Sequence, residues 1–337
     1  MMRIISKLAA AAVVLLAVAT DAGAAEKVTI SIGGASCLCY MPTVLAKQIG
    51  AYEKAGIDAD LVDFKGGSQS LTAVLGGSAD VVSGYFDHTV KLAAKNQRLQ
   101  SFVVYDQFPG LVLAVAPDQT GKIKSVKDLA GKKVGVTAPG SSTDFFLKFL
   151  LQKNGIDPTS AAVIGVGLGA TAVAAMEQGQ IDAVVTLDPA VTVLQARHKD
   201  LTILADTRTQ KDTEAVFGGD YPGGALYTRP EWMAAHPQAT QGLTNAMLAT
   251  LDYIHSHSAE EIMAQIPDNL IGSDKDAYLA ALKNAIPMYS TTGLMDPKGA
   301  QAVLDVFSLG SPDVANAKID ITQTYTNDYV NKAKKAN

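Results

Sequence analysis

The chain has 337 residues, of which 48% are hydrophobic, 18% charged and 6% aromatic. This composition excludes a disordered or collagen-like protein, and the length favours two globular units. The formal net charge is -5 and basic residues nowhere form a long run, so nothing supports binding to nucleic acid or to an anionic membrane.

The first 25 residues are predicted to form a secretory signal peptide. Arg3 and Lys7 give a positive start, residues 8–18 are apolar, and the small residues at 22–25 form a cleavage zone. The uncharged run is shorter than the ~20 residues that a membrane-spanning helix needs. We therefore expect a periplasmic protein cleaved near Ala25, and no lipoprotein anchor because the cleavage zone has no cysteine.

Strands and helices are predicted to alternate through the first part of the chain. We predict strands over residues 28–32, 59–64 and 81–82, since these segments are rich in β-branched residues. Between them, one helix starts near Pro42 and ends at Gly50, and a second passes through residues 71–75.

Two short patterns recur about 100 residues further on. Residues 77–82 follow the pattern G-x-x-D-x-V, which returns at 179–184, and the tripeptide Gly-Ile-Asp at 56–58 returns at 155–157. Such turn signals also recur by chance, but the predicted strands and helices around them recur as well. We predict strands over 133–137, 162–166 and 183–186, with helices over 143–153 and 171–178. The sequence therefore predicts an α/β protein of two lobes, each a mostly parallel sheet flanked by helices.

The lobe boundaries are predicted at two crossings. Residues 111–115 form a strand that leaves the first lobe, and the turn-rich segment 218–224 precedes a strand over 225–228. The mostly helical remainder is long enough to complete the first lobe. We therefore assign residues 26–113 and 221–337 to lobe 1 and residues 114–220 to lobe 2.

A ligand is expected where loops follow the carboxyl ends of the strands, between the lobes. Residues 66–70 and 138–144 place glycines and hydroxyls at helix starts, where unpaired N–H groups favour an anion. Ordinary helix capping explains the same residues. The loops 34–40 and 83–88 and the strand end at 188–189 belong to the same edge. With 138–144 they supply three aspartates that would suit an amine or ring N–H and three aromatic residues that would suit a planar group: Asp87, Asp144, Asp188, Tyr40, Tyr85 and Phe86.

Cys37 and Cys39 are the only cysteines. Residues two apart close a very small ring, so we expect two small residues at a strand end rather than a disulfide. A soft-metal site that also uses Met41 is an alternative. His88 lies beside the predicted loops, but the histidines show no metal-binding spacing, and motifs of serine hydrolases, P-loop proteins and zinc proteases do not occur in the sequence. We predict no cofactor and no metal.

Several segments together resemble the periplasmic substrate-binding proteins of ABC importers, in the nitrate, taurine and aliphatic-sulfonate group, whose domain is also named for thiamine-pyrimidine synthesis proteins. The matching segments are Met-Pro at 41–42, AKQIGAYEKAGID at 46–58, GGS at 66–68, GSADVV at 77–82 and DLAGKKVGV at 128–136. The resemblance extends from about residue 28 to residue 230. It implies the type II periplasmic binding protein fold and a monomer that closes on a small solute and delivers it to an inner-membrane permease.

The resemblance also implies which residues contact the solute. By position they are Ser36, Cys37, Cys39, Tyr40, Gly66, Gly67, Ser68, Ser83, Tyr85, Gly140, Ser141, Ser142, Thr143 and Asp188. Cys37 and Cys39 depart from the polar residues that relatives more often have there. The helix starts favour an anion and the aspartates favour an N–H donor, so the expected ligand is a sulfonate, a taurine-like zwitterion or a small nitrogen compound. A thiamine-pyrimidine-synthesis-type enzyme and a soft-metal carrier are alternatives, and the predicted signal peptide argues against the enzyme.

Overall fold

The computed structural model describes residues 25–336, so the predicted signal peptide lies outside the described residues except for Ala25. The strands are β1 (Glu26–Ile32), β2 (Ile57–Asp63), β3 (Val81–Tyr85), β4 (Gln100–Val104), β5 (Val112–Val115), β6 (Lys133–Val136), β7 (Ala162–Gly165), β8 (Ala183–Thr186), β9 (Ile203–Asp206) and β10 (Gly224–Thr228).

Helices cover both sheets and form most of the C-terminal third. They are α1 (Met41–Gln48), α2 (Ala51–Lys54), α3 (Gly67–Leu75), α4 (Asp87–Ala93), α5 (Ser142–Lys153), α6 (Ala170–Glu177), α7 (Ala190–Arg197), α8 (Gln210–Phe217), α9 (Pro230–Ala235), α10 (Pro237–Ser256), α11 (Ala259–Met263), α12 (Asp268–Ile271), α13 (Lys275–Ala285), α14 (Pro297–Gly310), α15 (Pro312–Ala315) and α16 (Asp328–Ala336). Along residues 25–336, none of them is both long and apolar enough to cross a membrane.

The strands form two five-stranded sheets of the same design. Their orders are β2-β1-β3-β10-β4 and β7-β6-β8-β5-β9. In each sheet the fourth strand, β10 or β5, is antiparallel to both neighbours, and the first three strands are mutually parallel. Four strands of each sheet therefore run in one direction, which confirms the predicted α/β class. The inner strands β3 and β8 are buried throughout, as strands covered by helices on both faces should be.

The recurring sequence pattern has the same structural role in both lobes. The Asp80 carboxylate accepts a hydrogen bond from the Thr29 N–H of β1 at 2.8 Å, and Asp182 accepts one from the Lys133 N–H of β6 at 2.8 Å. Each aspartate also donates its own N–H to the carbonyl of the same strand residue, at 2.9 and 2.7 Å. In both copies the aspartate thus joins the strand that follows it, β3 or β8, to the neighbouring parallel strand, β1 or β6.

The chain passes between the sheets at residues 105–111 and again at 207–223. The boundary predicted after residue 113 falls inside β5, and β5 pairs only with strands of the second sheet, so the first crossing is complete before Val112. Asp106 joins the two crossings: its carbonyl accepts the Gly223 N–H at 3.0 Å and its carboxyl accepts the Gly224 N–H at 3.2 Å. Burial raises the pKa of Asp106 well above its usual range.

The C-terminal helices contact both lobes. The long helix α10 packs on α1 and α2 of the first lobe, and α16 packs on α10 and β4. In contrast, α13 packs against α7, and α14 packs against α5 as well as α4. Helices α13 and α14 thus also cover helices of the second lobe.

Candidate ligand-binding cleft

Loops from the two lobes meet around a closed cleft, as the sequence predicted for the carboxyl ends of the strands. The cavity left between them measures about 10 Å³, which is room for about one water molecule. Seven of its lining residues come from the predicted set: Cys39, Tyr40, Gly67, Tyr85, Ser141, Ser142 and Thr143. The described conformation is therefore a closed one, with the two lobes in direct contact.

Direct hydrogen bonds hold the two lobes together across the cleft. The Ser142 hydroxyl donates to the Asp87 carboxylate at 2.8 Å, and the Ser68 N–H donates to the Ser141 hydroxyl at 3.0 Å. The Leu38 N–H donates to the carbonyl of Asp188 at 3.0 Å. These bonds join the starts of α3, α4 and α5, which are the elements expected to hold a ligand.

Gly66 allows the closest approach of the lobes. A Cβ atom on this residue would lie 2.8 Å from the Cβ of Ala138 in the opposite lobe and 3.3 Å from the hydroxyl of Ser141. The first distance is shorter than carbon atoms tolerate. The glycine is thus required by the closed contact, since its φ of 172° is an extended conformation that other residues also adopt.

Asp87 carries a buried carboxyl group next to the cleft cavity. It lies at the start of α4, is 1% exposed, and accepts hydrogen bonds from Ser142 and, at 3.4 Å, from the Tyr221 hydroxyl. Burial raises the pKa of Asp87 to about 7, against the opposing effects of the Ser142 hydrogen bond and the charge of Lys91. Neither lysine nor arginine lines the cleft cavity. Asp87 itself does not line the cavity, but Ser142 does, and its hydroxyl covers the Asp87 carboxylate.

Two tyrosines form the aromatic side of the cavity. The rings of Tyr40 and Tyr85 meet edge to face with centroids 6.2 Å apart. Burial raises the pKa of Tyr40 and of Tyr85, so both hydroxyls stay protonated. The Tyr85 hydroxyl donates to the Pro109 carbonyl at the first crossing. The cavity wall is therefore connected directly to the segment that links the lobes.

Ser83 and His88 lie beneath the cavity rather than in its wall. Ser83 shares hydrogen bonds with Thr43 at 2.6 Å and with Tyr105 at 2.8 Å. His88 shares one with Tyr227 at 2.8 Å, and burial lowers its pKa to about 3, which keeps the ring neutral. Among residues 25–336 no group of three or more metal-ligating side chains is close enough to hold a metal ion.

The remaining predicted residues lie around the cavity at different distances from it. Gly66, Ser68 and Gly140 form the contact between lobes, whereas Ser36 lines a separate cavity beside α6 and α7. The Asp188 carboxylate accepts hydrogen bonds from Thr192 and, at 3.4 Å, from Arg208. Asp188 therefore reaches the cleft through its backbone carbonyl, with its side chain engaged in its own lobe.

The prediction for the two cysteines is wrong: Cys37 and Cys39 form a disulfide. Leu38 between them lies in a short 3-10 helix, Leu38–Tyr40, and this turn places the two Cα atoms 5.2 Å apart, which is within the usual range for a bonded pair. Both residues are buried, and Cys39 contributes to the cavity wall. The pairing removes the two thiolates on which a soft-metal site depended.

Five further lining residues were not predicted: Gly33, Leu111, Thr137, Leu168 and Leu187. Thr137 and Leu187 directly follow β6 and β8, so the rule that ligands bind at carboxyl ends of strands would have included them. The leucines carry no chemical signal in the sequence, because apolar residues at strand ends are usually core.

Known proteins share this fold and parts of this sequence. The family model described as NMT1/THI5 like matches residues 39–261. A solved structure from Bordetella bronchiseptica RB50 is 38% identical with a TM-score of 0.89, over 94% of this chain and 98% of that chain. The periplasmic aliphatic sulphonate binding protein SsuA of Escherichia coli is 22% identical with a TM-score of 0.64, over 88% and 96% of the two chains. A protein of Brucella abortus (strain 2308) named as a binding protein is 30% identical over 200 residues, which span 59% of this chain and 58% of that relative.

Proposed function

Because the chain belongs to the NMT1/THI5-like family, we propose that it is the extracytoplasmic solute-binding component of an ABC importer. It captures a small polar solute between its lobes and delivers it to a permease in the inner membrane. The observation that carries this proposal is the meeting of α3, α4 and α5 from opposite lobes around Asp87, Ser141 and Ser142. The fold shared with an aliphatic sulphonate binding protein supports this role.

The chemistry of the cleft favours a small nitrogen compound over a sulfonate or taurine-like ligand. Asp87 supplies a buried acceptor. The Gly140 N–H, which would help to hold an anion, is already engaged within its own lobe, since it donates to the Asp144 carboxylate at 2.7 Å. A ligand with amine or ring N–H donors would take the place of the Ser142 hydroxyl on Asp87, and a planar one would pack on Tyr40 and Tyr85.

Lobe closure is the mechanism of capture. The cavity of about 10 Å³ is too small for such a solute, so the lobes separate to admit it and then close less far than in the described conformation. Contacts that the solute makes with both lobes at once are available only in the closed form, and they shift the population toward it. The permease then distinguishes the loaded form by the separation of the lobes.

A thermal-shift screen tests the proposal. The panel contains nitrogen heterocycles, amino acids, aliphatic sulfonates and nitrate, since a ligand that binds only the folded protein raises its melting temperature. We expect a shift from a compound with N–H donors, its loss in Asp87→Asn, and its retention in the control Asp118→Asn, which changes an exposed aspartate. A shift from the sulfonates alone would contradict the choice of ligand, and no shift from any member would contradict the proposed role.

A further inference from the structure

A second cavity lies beside the cleft, between α4, α5 and α14. Its volume is about 380 Å³, which is in the range of small-molecule sites. Tyr221 lines this cavity and Ser142 lines the cleft, and both are hydrogen-bonded to Asp87. The two cavities are therefore neighbours, separated by these three side chains.

The walls of the second cavity are aromatic and come from both lobes. Six aromatic side chains line it: Phe145, Phe146, Phe149, Phe217, Tyr221 and Phe307. Phe145 and Phe307 meet edge to face with centroids 4.9 Å apart, although one belongs to α5 and the other to α14. Only 6% of the chain is aromatic, so this concentration makes the cavity suited to a flat ring.

A lysine without an ion pair lies at the edge of this aromatic cavity. Lys91 places its ammonium 4.2 Å from the centre of the Phe145 ring and donates to the Gly140 carbonyl at 3.3 Å. Among residues 25–336 it forms no salt bridge, whereas its neighbour Lys148 is paired with Asp144 at 2.9 Å. Because Asp144 is thus neutralised by Lys148 and the Gly140 N–H, the uncompensated charge of the cavity is positive.

We propose that this cavity is a second ligand site, specific for small aromatic carboxylates. The ring of the ligand lies among the six aromatic side chains, and its carboxylate pairs with the ammonium group of Lys91. Because Lys91 is half-buried, water weakens this ion pair less than it would at the surface. The site goes beyond the importer role, which needs only the cleft. Since α4 and α5 belong to different lobes, an occupant contacts both, and it stabilises the closed form from outside the solute cleft.

Isothermal titration with indole-3-acetate tests the site, with 3-methylindole as the uncharged probe of the same ring. We expect one molecule of indole-3-acetate per chain, bound about tenfold more tightly than 3-methylindole, which corresponds to ~1.4 kcal/mol for the charge pair. Lys91→Gln should remove this preference. The control Lys95→Gln makes the same charge change four residues along, outside the cavity lining, and should alter affinity by less than about twofold.

Three outcomes would overturn the inference. One is the absence of binding at millimolar probe, and another is unchanged affinity in Lys91→Gln. The third is loss of indole-3-acetate binding in Tyr40→Leu, because Tyr40 lines the cleft cavity and not the second cavity and its effect would place the probe in the cleft. All three measurements can be made whether or not the thermal-shift screen finds a solute for the cleft. The importer role and the second site are therefore tested independently.

Discussion

A single buried carboxyl group determines much of the cleft's behaviour. Asp87 is 1% exposed, and its nearest donors are hydroxyls rather than a cation. Burial is the largest influence on it and raises its pKa to about 7. The empty protein therefore tends to hold a proton on Asp87 near neutral pH, and a ligand that donates N–H groups has to displace that proton or hydrogen-bond to the acid.

The raised pKa predicts how stability changes with pH. A group whose pKa is higher in the folded than in the unfolded protein contributes its full stabilisation at pH values below the unfolded pKa, which is near 4 for an aspartate. This stabilisation is lost as the pH rises through the folded pKa of about 7. We expect Asp87 to lower the free energy of unfolding by up to ~4 kcal/mol between pH 4 and pH 8. In Asp87→Asn this part of the pH dependence should disappear.

Urea unfolding at pH 5 and pH 8 measures that difference in both proteins. The variant Asp118→Asn controls for the loss of one negative charge at an exposed position. If Asp87→Asn loses as much stability between the two pH values as the unchanged protein does, Asp87 is ionised throughout and the argument from burial is wrong.

At the scale of elements, both sheets contain the same pair of hydrogen bonds between an aspartate and a neighbouring strand. Asp80 and Asp182 each accept a backbone N–H at 2.8 Å and donate their own to the same residue. Gly77 and Gly179, three residues earlier, both have φ in the left-handed region, at 77° and 66°. The repeated pattern therefore preserves a turn and a strand pairing, and it contributes to the fold of each lobe rather than to the cleft.

Removing the carboxylate of Asp80 or of Asp182 should destabilise the protein, because each leaves a backbone N–H without its acceptor. The loss should differ between the two sites. Asp80→Ala leaves the Thr29 N–H without its partner, and we expect a loss of about 1–3 kcal/mol in the free energy of unfolding. Asp182→Ala should cost less, because its hydrogen bond is exposed to water. The asparagine variants keep an acceptor oxygen and are the matched controls in chemical denaturation. Equal losses in the alanine and asparagine variants would show that the hydrogen bond is not the cause.

For the whole molecule, closure depends on how closely the lobes approach at one glycine. An alanine in place of Gly66 would bring its Cβ to 2.8 Å from Ala138. We expect Gly66→Ala to fold normally, because the backbone conformation is extended, and to prevent full closure. Gly121→Ala is the control, since nothing lies within 4 Å of the added atom.

Small-angle scattering compares these variants with the unchanged protein. Without ligand, the radius of gyration of Gly66→Ala should exceed that of Gly121→Ala, because the added methyl group prevents the lobes from reaching the fully closed contact. An equal radius in all three proteins would mean that the lobes accommodate the methyl group without separating.

The sequence was sufficient to predict the fold, and its proposed contact residues include seven of the twelve that line the cleft cavity. The recurrence of Asp80 at Asp182 and the alternation of strands and helices reflect local hydrogen bonding and burial, which leave a regular pattern. The loops holding Tyr40 and Ser141 followed from the rule about strand ends. Leu168 and the contact of α14 with α5 could not be predicted, because they depend on how apolar surfaces from distant segments meet. The disulfide depended on the turn at Leu38 between the two cysteines, which their spacing does not reveal.

The packing of α13 and α14 against helices of the second lobe has a consequence for affinity. If the lobes swing apart to exchange solute, these helices give up apolar contacts far from the solute itself, and the work of opening includes that loss. Substitutions on the face of α14 that contacts α5 would then change the solute affinity by shifting the equilibrium between the open and closed forms. Selection could thus adjust scavenging of a scarce nutrient without altering any group that recognises it.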